Sequence, residues 1–306
     1  MRRARLLNAV FILFALAAAA LAARHFAGTG WPLQHANPWL VALAVAIFFA
    51  SYAAKAWGWQ YLFRVDQRPA VLTLAAAGGA AAVGGIALPG RFDEVLRVGV
   101  VRRCRRRRAS FGAVGLSLFV LGLLDSVALT PFASASAAFG NVGGWLEAGL
   151  IVVAVAGLAA AGVVLALPRH TRFRPVARLR VAEHATPPRQ AAKAWLGVAL
   201  SWSLRTVAVF VLLAALGLGT DFALALAFVC GSAASAVLPV APAGAATQVG
   251  AGAAILSAAG VHTEQAVAFG IAAQGMAIGV GALFVLALAA WHAQGRLAGS
   301  RRLAGA

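Results

Sequence analysis

Two carboxylates and two guanidiniums, Arg91, Asp93, Glu94 and Arg97, stand between apolar runs in the stretch LPGRFDEVLRVGVVRRCRRRR, residues 88–108. If this segment is helical, Asp93 and Glu94 lie four and three residues before Arg97, and both can pair with it. Such a cluster can neutralise itself near an interface. It can equally present Arg91 or Arg97 to a phosphate, which guanidinium meets with two parallel hydrogen bonds. A helix start just after Pro89-Gly90 would add free N–H groups that favour an anion. Two more charges lie deep in apolar surroundings: Asp125 in SLFVLGLLDSVALTP and Arg205 in WLGVALSWSLRTVAVFVLL. Neither has an opposite charge in its own helix. An Asp125–Arg205 pair between helices is the economical expectation, either as part of a site or as structural glue. Gln248, with Gln274 and Thr247, adds groups that suit a ligand or an ordinary interhelical hydrogen bond.

Other chemistry finds no support. There is no G-x-S-x-G elbow and no P-loop. The six histidines are scattered, without metal-ligand spacing, and GAGAAI after Val249 lacks the third glycine of a dinucleotide motif. Cys104 and Cys230 imply no disulfide framework. The sequence therefore nominates no catalytic residue, no metal site and no cofactor.

These charges must be positioned by something, and composition says what. Of 306 residues, 62% are apolar and 11% charged, and the mean hydropathy is +0.87. A soluble domain is about half apolar and a quarter charged. The chain reads as an all-α, polytopic membrane helix bundle, a single integral membrane domain over 1–306. The net charge of +18 would suggest nucleic acid in a soluble protein. Here the arginines cluster between apolar segments, which is the positive-inside pattern, so no nucleic-acid partner is expected. About six spans are expected, at 6–23, 39–63, 110–132, 145–167, 195–217 and 266–290. The run 6–23 exceeds a usual signal-peptide core. Basic residues fall on alternate connections and at both ends, which places both termini in the cytoplasm.

Two apolar regions, 70–101 and 222–260, are broken by Gly and Pro. Basic residues flank the first on both sides, so its ends lie on the same side. Its return arm, Arg91 to Val101, is too short to span at about 16 Å. A re-entrant hairpin opening to the cytoplasm fits, with Pro89 and Gly90 at its tip. The same reasoning makes 222–260 a hairpin opening outward, with Pro239, Pro242 and Gly244 at its tip. Paired, oppositely oriented interruptions point to a transporter's substrate site and to an inverted repeat. GMAIG, Gly275–Gly279, is a small-xxx-small pattern suited to helix packing.

These motifs, taken in order, resemble the lysylphosphatidylglycerol synthase transmembrane family, also called flippase-like proteins. In LPGRFDEVLR, the residues Pro89, Gly90, Arg91, Glu94 and Arg97 match the family's pattern, and Asp93 replaces its usual Gly. Asp125 matches an acid that the family precedes with Glu-Arg, absent here. In LPVAPAGAATQVG, Pro239, Pro242 and Gly244 match, while Gln248 and Val249 stand where the family carries Arg-Glu. The resemblance implies the membrane part of an enzyme that makes and flips aminoacylated phosphatidylglycerol, or a relative linked to export of polyprenyl-phosphate glycans, hopanoids or glycolipids. The chain closes just after its last span, so an aminoacyl-transferase domain is not expected.

The expectation is a bacterial plasma-membrane translocase of an anionic phospholipid or a polyprenyl-phosphate-linked lipid. Arg91, Arg97 and Arg205 would hold the headgroup, with Asp93, Glu94, Asp125 and Gln248 around it. One alternative is an accessory subunit for a glycosyltransferase, with a homo-oligomer as another possible partner arrangement. A second is a membrane-embedded enzyme acting on lipid phosphates, with Asp93 or Glu94 as base.

Overall fold

The computed structural model describes residue 24 and residues 36–87, 92–103, 110–139, 144–166, 188–237 and 244–304. Within them lie α1 (Pro38–Gln60), α2 (Val71–Ala87), α3 (Phe92–Arg103), α4 (Phe111–Phe139) and α5 (Trp145–Ala166). After them come α6 (Pro188–Ala215), α7 (Phe222–Val237), α8 (Gly244–Ala258) and α9 (Thr263–Ala304). No strand occurs among the described residues, and the protein is an all-helical membrane bundle. Four helices are long and apolar enough to cross a bilayer: Pro38–Gln60, Phe111–Ala138, Arg189–Ala215 and Thr263–Gln294. The apolar part of α5, Glu147–Val163, is shorter. The expected first span, 6–23, lies outside the described residues.

Three boundaries differ from expectation: the span expected at 110–132 runs on to Phe139, and two others also lengthen. The span expected at 195–217 begins as a helix at Pro188, and the one expected at 266–290 continues to Ala304. Both extensions are polar, which removes them from a count of apolar residues. They remain helical because Pro suits a first helical turn and Ala, Arg, Gln and Lys are good helix formers.

Ends are closed by local chemistry. Asn37 caps α1, its side-chain oxygen accepting from Trp39 N at 3.0 Å and Leu40 N at 3.3 Å, with Pro38 at the first position. Asp221 caps α7 by accepting from Ala223 N at 2.8 Å. After α8 the chain turns at Gly260, φ +90°, and Val261 N donates back to Leu256 O at 3.0 Å. That is a left-handed glycine stop.

The broken regions are indeed helix pairs. Helices α2 and α3 pack on each other, as do α7 and α8. With 17, 12, 16 and 15 residues, they reach about 25, 18, 24 and 22 Å, against about 30 Å of hydrocarbon. Their tips, including Pro89, Gly90, Arg91, Pro239 and Pro242, lie outside the described residues, and Gly244 opens α8. Glycine lets the arms close up: the Leu96 side chain of α3 sits where a Cβ on Gly84 would be, and Ile255 of α8 does the same at Gly231.

The contacts repeat between halves. Exchange α1, α2, α3, α4 for α6, α7, α8, α9, and most of the main contacts have a counterpart. The α1–α2 contact maps to α6–α7, α3–α4 to α8–α9, α4–α6 to α9–α1, and α4–α7 to α9–α2. The α1–α6 contact maps onto itself and forms the centre.

That central pair is antiparallel along its whole length. Asn37 N donates to Ala215 O at one end, and Arg68 meets Gln190 at the other. Between them the backbones touch at Gly58 and Gly197, where an added Cβ on Gly58 would lie 2.7 Å from Ala194 O. Helices α2 and α9 likewise cross at Gly79 and Gly281. The two glycines of GMAIG make no close helix crossing: a Cβ on Gly275 or Gly279 would meet nothing within 4 Å. The close-packed glycines of α9 are Gly281, against α2, and Gly270, against Val249 of α8.

Candidate functional site

Helix α1 contains a lysine, Lys55, that is the lone charge of the run 39–63. Its depth and direction follow from the register of α1 on α4 and α6. Trp59 Nε1, one turn below, donates to Ser117 Oγ of α4 at 3.1 Å. That contact, with the Gly58–Gly197 crossing, points Lys55 at Asp125. The Lys55 Nζ to Asp125 Oδ2 distance is 2.8 Å, and both side chains are about three-quarters buried. Trp202 of α6 donates its Nε1–H to the other carboxylate oxygen, Oδ1, at 2.8 Å. Three helices therefore meet at one carboxylate whose two oxygens are both satisfied. A lone charge at mid-helix costs about 2.5–3.5 kcal/mol on insertion scales, and this pairing offsets part of that.

Arg205 lies one turn along α6 from Trp202. Its guanidinium carbon is 4.8 Å from the Trp202 ring centroid, 5.1 Å from Phe48 and 5.9 Å from Tyr52. Such stacking is favourable where water is excluded. Lys55 joins the same box, 5.4 Å from the Trp202 ring. Tyr52 ties the box to α9 by donating its hydroxyl hydrogen to Ala277 O at 3.4 Å, and Phe284 stacks on Phe49 at 4.2 Å. The expected Asp125–Arg205 pair is thus not formed. Lys55 occupies the acid, and the register carries Arg205 past it onto the rings.

Arg97 stands on α3. It pairs with Asp93 at 3.6 Å. Of the two acids expected to reach Arg97, Asp93 is half-buried beside it, and Glu94 is exposed. The Nε atoms of Arg97 and Arg205 are buried without a hydrogen-bond partner. Gln248, half-buried on α8, and Gln274, half-buried on α9, make no hydrogen bond to this centre. Arg91 lies outside the described residues.

Sequence reasoning passes over Lys55. It sits nine residues before Arg64 and among Trp57, Trp59 and Tyr61, where a lysine reads as one more interfacial anchor. The usable signal was its position as the one charge inside an apolar span, facing an acid in another span.

A separate basic group marks the end of the α1–α6 pair. Arg68 stacks over Tyr61 at 4.5 Å, and Lys193 lies 5.5 Å from the same ring. Arg68 Nη2 also donates to Gln190 Oε1 at 3.2 Å. Basic and aromatic side chains at one helix end suit the headgroup layer.

The chain matches the family model described as the lysylphosphatidylglycerol synthase TM region over residues 5–285, and it belongs to that family. No curated protein matches it.

Proposed function

We propose that this member of the lysylphosphatidylglycerol synthase transmembrane family translocates an anionic lipid or a lipid-linked glycan across the bacterial plasma membrane, with both termini in the cytoplasm. One observation carries the reading. Lys55 and Arg205 converge from α1 and α6 on the Trp202 ring inside a bundle of apolar helices, and the buried Nε of Arg205, like that of Arg97 on α3, lacks a partner. Intramembrane charges are expensive and face substrate paths or one another. An anionic headgroup would take the open guanidinium edges while its tails stay in lipid. The two interrupted helix pairs act as re-entrant hairpins beside this path, since broken helices near the midplane line transporter sites.

The test is transport by purified protein in proteoliposomes, read by leaflet-specific labelling of a headgroup. Wild type moves the lipid. Arg205→Ala and Arg97→Ala each slow it at least about tenfold, a loss of about 1.4 kcal/mol of stabilisation. Wild-type rates in both variants would end the assignment of this site.

A second reading, an accessory subunit of a glycosyltransferase, is favoured by the basic pair Arg68 and Lys193 around Tyr61. It predicts co-purification with such an enzyme and no transport by the isolated protein.

A further inference from the structure

Asp125 is held by two donors of unequal freedom. Trp202 donates Nε1–H to Oδ1 from a ring buried in the helix interface. Lys55 donates to Oδ2 from the end of a flexible stem. Lys55 Nζ also lies 5.4 Å from the Trp202 ring centroid, and the Arg205 guanidinium lies 4.8 Å from the same centroid. The ammonium thus stands between an acid and a second cation. An anion that meets the open Nε edge of Arg205 lies within reach of the Lys55 side chain.

No neighbouring group replaces Asp125. It is the one carboxylate on α1, α4 and α6. Of the helices packed on α1 and α4, α2 carries no titratable residue, and α7 carries only the buried Cys230. Helix α5 carries only Glu147 in its first turn, and α9 carries Glu264 in its first turn and then nothing before His292. On α6, Arg189 and Lys193 stand in the first turns, away from Arg205. On α3 stand Asp93, Glu94, Arg97, Arg102 and Arg103, with Arg97 paired to Asp93. Tyr52 of α1 donates its hydroxyl hydrogen to Ala277 O. If Lys55 leaves, Asp125 is a partly buried carboxylate without its cation. Such a group takes a proton more readily than it keeps its charge.

We propose that Lys55 exchanges Asp125 for the bound anion, that Asp125 takes up a proton as it does so, and that one proton therefore travels with each anionic headgroup. This deepens the translocase reading and rests on it. Water on the loading side supplies the proton, which sits on Oδ2, the oxygen that Lys55 has left. Trp202 goes on donating to Oδ1. On the other side the anion departs, Lys55 returns, and Asp125 releases the proton to water. Loading brings one negative and one positive charge, so the loaded centre carries the same charge as the empty one. The change of access then moves no added charge through the bilayer, where charge is costly.

Two measurements on the full chain test this. In weakly buffered detergent with a pH indicator, phosphatidylglycerol is added to the purified protein, and uptake of about one proton per bound lipid is expected. Asp125→Asn should take up none, because the acceptor is gone. Lys55→Gln should take up none, because Asp125 is protonated before the lipid arrives. In proteoliposomes, leaflet exchange of phosphatidylglycerol above that of protein-free vesicles is followed under a pH difference at zero potential, and separately under a potential at equal pH. A pH difference of one unit should enrich the alkaline-side leaflet up to about tenfold. The potential alone should enrich neither leaflet, because the pair crosses without net charge. If Asp125→Asn does not fold, Lys55→Gln and the wild-type comparison still decide. Lipid binding without proton uptake, wild-type exchange driven by the potential and not by pH, or a pH response kept in folded Asp125→Asn would overturn the inference while leaving translocation intact. Wild-type protein that neither binds nor moves phosphatidylglycerol would instead remove the reading beneath it.

Discussion

Lys55 Nζ of α1 lies 2.8 Å from Asp125 Oδ2 of α4, and with the Trp59–Ser117 hydrogen bond it joins two otherwise apolar helices. Trp202 holds the other oxygen of the same carboxylate at 2.8 Å. Arg205, one turn away, is left to the rings. The arrangement divides labour: one cation neutralises the acid, and another keeps its hydrogen-bonding edge open.

Breaking that pair from one side should cost stability, and breaking it from both should cost less. Lys55→Met leaves a partly buried carboxylate. The expected loss is about 1–3 kcal/mol, below the 3–5 kcal/mol of a fully buried pair, because both side chains keep some exposure. Lys55→Met/Asp125→Leu should recover most of it. Thermal unfolding in detergent reads the cycle, and additive losses would show the two residues to be uncoupled.

Trp202→Phe keeps an aromatic face for Arg205 and removes the donor to Asp125. A hydrogen bond to a charged group contributes about 1.5–3 kcal/mol. Unfolding should therefore begin at lower temperature, while Trp202→Tyr should not restore it, since its hydroxyl does not sit where Nε1 does. Unchanged stability in Trp202→Phe would contradict the bond.

Arg205→Lys preserves the charge and loses the planar fork. Transport should fall nearly as far as in Arg205→Ala, about tenfold, since a lysine cannot both stack on three rings and present an edge. A lysine variant with wild-type transport would mean that charge alone suffices.

Gly58→Ala and Gly197→Ala push a Cβ into backbone, to 2.7 Å from Ala194 O and 2.5 Å from Gly58 Cα. Overpacking of this kind costs about 1–3 kcal/mol, and backbone cannot rotate away as a side chain can. Gly275→Ala and Gly279→Ala meet nothing within 4 Å and should be neutral or slightly stabilising, because Ala favours helix over Gly. The same detergent melts compare all four.

Orientation is tested with Cys104→Ser/Cys230→Ser as background. Thr220→Cys, in the exposed turn after α6, should react with a membrane-impermeant maleimide on intact cells. Arg64→Cys should react only after lysis. The reverse result would invert the proposed topology.

Much of the fold is legible in the sequence. Long apolar runs need lipid, and they require helices that satisfy their own backbone. Gly and Pro at 84–90 and 239–244 signal breaks, and the helices stop there. The polar helix ends at Pro188 and beyond Trp291 are less legible, because hydropathy measures the medium and not the backbone conformation. Of the candidate site, Asp125, Arg205, Arg97 and Asp93 announce themselves as charges in apolar runs. Lys55 hides among interfacial aromatics, and the packing glycines Gly58, Gly79, Gly197 and Gly281 look like any others.

What the sequence determines by itself is the medium, the approximate helices and the short list of residues too costly to be there without a partner. Which charge meets which belongs to the tertiary structure. A side chain inside a helix can face any neighbour, and rotating α1 by one residue would turn Lys55 away from Asp125. The glycine crossing of α1 on α6 and the Trp59–Ser117 bond fix that rotation. Those contacts join residues far apart in the chain, so the local sequence does not encode the pairing. They give Asp125 to Lys55 and leave Arg205 stacked, with its edge open.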